Sequence, residues 1–462
     1  MKPKYFLALG LLVLGLGSCG ESFFEQYPSN NITEGNFYKT DDDFNQGVVA
    51  CYAKLKTQMS FHLTEIGYRG DENVLESMAV STQNRYDIDH FAETANNGIL
   101  NDIWNAWYNG IYRCNDVLDH MTGAKIANYD KYRGECLFLR SWWYFNLYRV
   151  FGVVPITRTV VTPAAAKLIP RCTEEEMYTL LTEDLAEAAR LLPPTPGPEK
   201  ARVANIAAYT LLAKVYLTFG QPAEAKTALE EAMKNTSYGL ESTTKKVFDV
   251  GNKMNREIIF ALYYNKTNDN GHGYWYSANT DVLADINNPT PTFKAIYDSE
   301  KDNRLPLISS YTKIKDNLFA MTKWYATYDA TYTTQVGNDF PHLRYADVVL
   351  MYAEALAESG GSLGDALEWL NKTRTRAGLD ELTTDEVKSL AEFRRELAAE
   401  RGREFALEGH RWFDLVRLGL AVDYFREMGY SLDSHNLIFP IPQNQIEIVN
   451  NPSILWQNPG FN

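Results

Sequence analysis

Two stretches of the chain carry the same arrangement of small and large apolar residues, and this repetition restricts the fold more than any other feature. From Leu212 the order is Leu212, Ala213, Tyr216, Gly220, Ala225, Leu229 and Ala232. It recurs 140 residues later as Tyr352, Ala353, Leu356 and Gly360, continuing through Ala366, Leu370 and Thr373 with one extra residue in the turn. Spacings of three and four put such residues on one stripe of a helix. Small residues on that stripe let two antiparallel helices approach closely.

These spacings resemble the tetratricopeptide pattern, a helix–turn–helix unit that buries its apolar face against a neighbour. Two copies so far apart point to repeats built into one larger α-rich body, not a solenoid. Helical signals fill much of the remaining chain. Thr40 and Asp43 form a capping pair ahead of Phe44, Val48, Tyr52 and Leu55. A second helix is predicted near Asn101–His120, with Ile103, Trp107, Ile111 and Val117 on one stripe. A third is predicted over Tyr129–Phe151, ended by Gly152 and Pro155. Thr173-Glu174-Glu175-Glu176 is a capping box that opens a helix stopping at Pro193-Pro194, and 193–198 reads as a loop. Glu257–Tyr264 is apolar on both faces and reads as a buried strand. Around it, from about Thr243 to Asp339, lie long aperiodic stretches rich in Gly, Asn, Thr, Asp and Tyr. Connections of that length are usually functional or disordered, and the aromatic content favours ordered and functional. The expected class is therefore mainly α, with long irregular loops and a few short strands.

The chain opens with Lys2 and Lys4, an apolar run from Tyr5 to Leu16, and Gly17-Ser18-Cys19. A positive end, a short apolar core and small residues at a cut site describe an export signal. It is too short for a membrane-spanning helix. The expectation is a signal peptide over 1–18, a polar tether over 19–39 and a folded body over 40–462, with helical scaffold at about 40–235 and 340–420 and a variable region at about 243–339. Losing Lys2 and Lys4 takes the formal charge from −14 to −16. Nucleic acid is thereby disfavoured as a partner, because phosphate contacts need concentrated Lys and Arg. Cys51, Cys114, Cys136 and Cys172 match no zinc spacing and no dense disulfide scaffold, and read as buried thiols.

Glu400–Arg417 holds Glu404, Glu408 and Asp414, and paired carboxylates are the machinery of glycoside hydrolysis. Its charges also fall three apart in opposite-sign pairs, Glu400 with Arg403, Glu408 with Arg411 and Asp414 with Arg417, which satisfies them locally. Phe405, Leu407, Trp412, Phe413 and Leu415 interleave with them, so the structural reading is preferred and no catalytic residue is assigned. His410 reads as a surface or packing histidine. Seven scattered histidines give no metal-binding array, and Asn268-Asp269-Asn270-Gly271 lacks the alternating ligands of a calcium loop. No metal or cofactor is expected.

In the last third the residues become specific. Leu343-Arg344-Tyr345-Ala346-Asp347 leads into Leu350–Ala355, and Leu370-Asn371-Lys372-Thr373-Arg374 follows. Glu400-Arg401-Gly402-Arg403-Glu404-Phe405 runs on through Glu408–Arg417, then Phe439-Pro440-Ile441-Pro442 and Gln457-Asn458-Pro459-Gly460-Phe461. Together with Phe138–Arg140, Tyr148–Gly152 and Phe37-Tyr38, this series resembles the SusD/RagB family of Bacteroidota outer-membrane lipoproteins. Leu16-Gly17-Ser18-Cys19 likewise resembles a lipobox, which makes Cys19 the lipidated residue. The resemblance implies a surface-exposed, non-enzymatic lipoprotein of the outer membrane. It would capture a glycan and deliver it to a SusC-like TonB-dependent transporter, and its fold would be one α-rich domain with tetratricopeptide-like helix pairs. A peptide-binding or interaction scaffold of the same fold is the alternative.

A glycan offers flat C–H faces and many hydroxyls, which aromatic platforms and directional polar groups recognise. Such residues belong in loops, which sets aside Trp104, Trp107, Trp142, Trp143, Trp369 and Trp412 as core. Three loop clusters are the expected ligand site. The first is His272, Tyr274, Trp275 and Tyr276, ending near Asn279. The second is Arg85, Tyr86 and Asp87, and the third is Trp324 and Tyr325. Arg69, Arg85 and Lys266 are candidates for a local basic patch.

Overall fold

The computed structural model describes residues 37–71, 83–197, 201–264, 277–279, 289–315, 318–324 and 338–461. Most of them are helical. In the first half run α1 (Asp41–Gly67), α2 (Gln83–Asp89), α3 (Gly98–Met121), α4 (Tyr129–Phe151), α5 (Pro163–Ala166), α6 (Glu174–Leu191), α7 (Asn205–Thr218) and α8 (Pro222–Met233). Both predicted capping boxes are formed. Thr40 and Asp43 exchange side-chain-to-backbone bonds at the start of α1, and Thr173 and Glu176 do so at α6.

Helix α4 is buried on almost every face, from Tyr132 to Phe151, and α3 and α6 pack on either side of it. A helix that is apolar all round belongs in the centre of a body. Charged residues along it are paired with neighbouring segments, Arg133 with Glu187 (2.8 Å) and Glu135 with Arg202 (2.7 Å). Arg140 makes two bonds of 2.8 and 2.9 Å to Asp184 of α6 and a third, of 2.9 Å, to Asn115 of α3. Gly110 of α3 is what allows the approach of α4: a Cβ there would stand 2.2 Å from Trp143. Cys51, Cys114 and Cys136 meet where α1, α3 and α4 converge, and with Cys172 all are buried and free. Burial pushes the Cys114 thiol well up.

After α8 come α9 (Thr244–Val247), β1 (Ile258–Leu262), β2 (Ser277–Asn279), α10 (Pro291–Lys294), α11 (Leu305–Ser309), β3 (Tyr311–Lys315) and β4 (Leu318–Met321). Then follow β5 (Phe340–Arg344), α12 (Tyr345–Glu358), α13 (Leu363–Arg376), α14 (Leu390–Glu404), α15 (Arg411–Arg417), α16 (Ala421–Glu427) and α17 (Gln443–Val449). Strand β1, the expected buried strand, pairs antiparallel with β5, and both are buried along their length. A second sheet has the order β2-β4-β3.

The two repeat copies are α7–α8 and α12–α13, and they meet, because α12 packs on α8. Their turns share one geometry. Gly220 and Gly360 adopt positive φ, and the next residue's N–H returns to Tyr216 O (2.8 Å) or Leu356 O (2.9 Å). That is the six-to-one closure that favours glycine past a helix end. The C-terminal motif works as a clamp on α4. Asn458 donates to Phe151 O (2.9 Å) and Phe439 O (2.7 Å) and accepts from Arg171 (2.7 Å). Gln457 pairs with both backbone groups of Ile441, each at 2.8 Å.

Candidate functional site

The charged motif is a sealed network. Arg344, at the junction of β5 and α12, donates to Glu257 (2.8 Å), Glu404 (2.6 Å) and Glu408 (2.8 Å). Arg304 holds Asp302 (2.8 Å), Glu400 (2.8 Å) and Glu404 (2.9 Å), Arg376 holds Glu257 (2.7 Å) and Glu404, and Lys323 holds Glu408 (2.8 Å). All of these side chains are buried. Burial alone would raise the Glu404 carboxyl, but Arg376, Arg344 and Arg304 overcome it and hold it well below the usual range. A carboxylate locked in its ionised form and shut away from solvent neither donates a proton to a glycosidic oxygen nor reaches an anomeric carbon.

Two of the three expected local pairs are formed, Glu400–Arg403 (3.0 Å) and Asp414–Arg417 (2.8 Å). Glu408–Arg411 is not. Glu408 turns inward to Arg344 and Lys323, while Arg411 reaches Asp71 (2.9 Å) beyond the end of α1. Helical spacing permitted the local pair, but α15 starts only at Arg411, so the two residues do not share a helix face. His410 is buried and stacked on Phe405 with ring centroids 4.7 Å apart.

Of the expected ligand residues, His272, Tyr274, Trp275, Tyr276 and Tyr325 lie outside the described residues, as does Cys19. Asn279 closes β2, opposite Leu318 of β4. Trp324 is not an exposed platform: it is fully buried, edge-on to Phe248 (5.3 Å) and tilted on Phe340 (6.2 Å). Arg85, Tyr86 and Asp87 sit on α2 and not in a loop. Tyr86 is half-buried and stacked on His90 at 3.8 Å, one helical turn on. Arg85 donates to Glu65 of α1 (3.2 Å), and Asp87 accepts from Gln83 (2.5 Å). Burial pushes the Glu65 carboxyl up to about 7, with Arg85 pulling the other way. Arg69 belongs to no surface patch, since it is buried between Phe439 (3.9 Å) and Phe91 (4.9 Å) and paired with Glu93.

Tyr263 was not anticipated. Strand β1 stops at Leu262, leaving Tyr263 46% exposed with Lys253 over its ring at 3.9 Å. Tyr264 beside it donates to Asp339 (2.8 Å) through its N–H and to Lys56 O of α1 (3.5 Å) through its hydroxyl. The signal was present in the doubled Tyr at the strand end, where the amphipathic ring suits a partly wet position. Helix α1 thus supports two aromatic points, Tyr264 at Lys56 and the α2 cluster at Glu65, about 13 Å apart along its axis. Among the described residues, no helix is long and apolar enough to cross a membrane. Nor do they place three or more His, Cys, Asp or Glu to hold a metal ion.

Known proteins agree with this architecture. A family described as “SusD family” matches residues 303–461, and one described as “Starch-binding associating with outer membrane” matches residues 27–217. The SusD-like protein P2 of Formosa agariphila is 25% identical, with 99% of this chain and 100% of that protein covered. A SusD-like protein of Bacteroides fragilis superposes with a TM-score of 0.78 at 21% identity, over 94% of this chain and all of that one. The surface glycan-binding protein A of Bacteroides thetaiotaomicron, solved with laminarihexaose, gives a TM-score of 0.74 at 22% identity over 91% and 99% of the two chains. From the α4 core and the sealed charge network to the Asn458 clamp, the chain is a SusD-like family protein.

Proposed function

We propose that this protein is a glycan-binding lipoprotein of the outer-membrane surface. It captures an oligosaccharide or polysaccharide without catalysis and delivers it to a SusC-like TonB-dependent transporter. The observation that carries this reading is full-length likeness of fold to a protein seen holding laminarihexaose. The matched family description, starch binding in association with the outer membrane, points the same way. The burial and ion pairing of Glu404 and Glu408 support this reading over a surface glycosidase built on those two carboxylates. Residues 1–18 act as the leader, Cys19 carries the lipid, and 19–39 serves as the tether; two or more acyl chains are needed for stable anchoring. Ligand contacts come from the aromatic segment at His272–Tyr276 together with Arg85, Tyr86 and Asp87, through stacking and directional hydrogen bonds.

The test is native electrophoresis of the chain from Glu21 through gels containing host, plant and microbial polysaccharides. Retardation by one polymer, weakened by Trp275→Ala at an unchanged melting temperature, is expected. Free migration through every gel, combined with peptide binding by calorimetry, would sink the glycan reading in favour of a peptide scaffold.

A further inference from the structure

Helix α3 shows two unlike faces. Ile103, Trp107, Ile111 and Cys114 point into the core. On another side Asn101, Asn105, Tyr108, Tyr112 and Asn115 recur at steps of four and three, the spacing of one continuous stripe. Asn105, Tyr108, Tyr112 and Asn115 of this stripe form one wall of a cleft of about 350 Å³, closed by the segment from Pro155 to Ile169 and by α17.

The cleft is mostly apolar, with Val161, Ile169, Ile448 and Leu455 beside two tyrosines, and carries a few amides, a lining suited to an uncharged ligand with apolar faces and hydroxyl edges. Tyr112 stands 48% exposed on one wall and Ile448 45% exposed on the other. Tyr108 is fixed by its hydroxyl bond to Pro155 O (2.7 Å), so its ring edge is held in place. Gln445 of α17 donates to Asn105 of α3 (3.1 Å), which ties the two walls together. This bond uses one end of each amide, and Asn105 Nδ2 and Gln445 Oε1 have no partner among the described residues. The cleft therefore presents one donor and one acceptor side by side, next to an exposed ring. No Asp or Glu lines it, although the chain carries a formal charge of −14; Lys167 is its one ionised lining group. Its volume is that of a small-ligand site.

We propose that this cleft is a second glycan subsite, separate from the α2 and β1 aromatic points, which takes a short neutral stretch of the same polymer. Tyr112 stacks on a sugar face while Asn105 and Gln445 hydrogen-bond adjacent hydroxyls. The inference rests on the glycan-binding reading above. Two weak contacts on one polymer also gain from effective concentration, so a subsite that is feeble alone still strengthens capture of a long chain.

The test uses the polysaccharide that retards the protein in gels, with calorimetry on the polymer. Tyr112→Ala and Gln445→Ala should each weaken binding about three- to tenfold, the scale of one aromatic or polar contact. Tyr112→Phe should bind as the unaltered protein does. Tyr112→Ala should melt with it, since that side chain is exposed, and Gln445→Ala, which loses the bond between the walls, should melt within about 2 °C of it. Combining Tyr112→Ala with Trp275→Ala should weaken binding beyond either change alone. If the unaltered protein binds the polymer and both cleft variants bind it equally well, the cleft is not a subsite and the glycan reading stands. If the unaltered protein binds no glycan, both readings fall.

Discussion

Replacing Arg344 with Met tests the sealed network. The buried cluster holds five cations, Arg304, Lys323, Arg344, Arg376 and Arg403, against five anions, Glu257, Asp302, Glu400, Glu404 and Glu408. Removing Arg344 withdraws donors from three of those carboxylates at once and leaves four cations facing five anions. Breaking a buried pair costs about 3–5 kcal/mol, because a charge is stranded away from water. Unfolding entropy of about 2.1 cal per mol per kelvin per residue gives roughly 0.9 kcal/mol per kelvin for a body of this length. The midpoint should therefore fall by about 3–6 °C in scanning calorimetry. Acidity supplies a second readout. In the unaltered protein Glu404 lies below its unfolded value, so its contribution is present above the normal carboxylate range and is lost only as pH falls through the depressed folded value. In the variant one carboxylate becomes uncompensated, and its folded value rises above the unfolded one. The deficit should then shrink as pH falls from 8 to 5. Arg344→Lys, which keeps the charge but not the fork, should lose less. A variant melting within about 1 °C of the unaltered protein, or a deficit insensitive to pH, would refute the account of these charges as a single coupled unit.

Gly110→Ala should lower the melting midpoint despite alanine's better helix propensity, because the new Cβ would stand 2.2 Å from Trp143; overpacking of this kind costs about 1–3 kcal/mol or more. Gly67→Ala at the end of α1, where a Cβ meets nothing within 4 Å, serves as the matched control and should be neutral or slightly stabilising. Glu65, pushed up to about 7 by burial, binds its proton more tightly in the folded state than in the unfolded one. Stability should therefore decline as pH rises from about 4.5 to 7, and Glu65→Gln should flatten that decline in chemical denaturation.

The helical scaffold was legible because its signals are local. Capping boxes at Thr40 and Thr173, the α4 boundaries and the small-residue stripes of both repeats all lie within a few residues of one another. The sequence could not say that α12 would seat on α8, since nothing in either stripe names its partner. The charged motif was read correctly as structural, yet Glu408 was given the wrong cation, because its true partners lie 64 and 85 residues away. The candidate site was harder still. Trp324 and Tyr263 look alike in sequence, each an aromatic residue at a strand end, and only tertiary packing buries one and exposes the other. Helix α2 escaped notice because a helix of 7 residues offers too short a window for periodicity.

The clamp at Asn458 bears on how the chain acquires its structure in time. Its partners, Phe151 and Arg171, precede it by 307 and 287 residues. Phe439 likewise closes on Val150. The end of the central helix is thus satisfied mainly by residues about 300 positions further along, with a longer bond from Arg171 (3.4 Å), and loop closures of such length slow a folding reaction more than they weaken its product. A chain still emerging, or one clipped ahead of Phe439, lacks the strap that completes its own core. Arrival of the segment from Phe439 to Asn458, not of any single helix, is then the event that completes the core around α4.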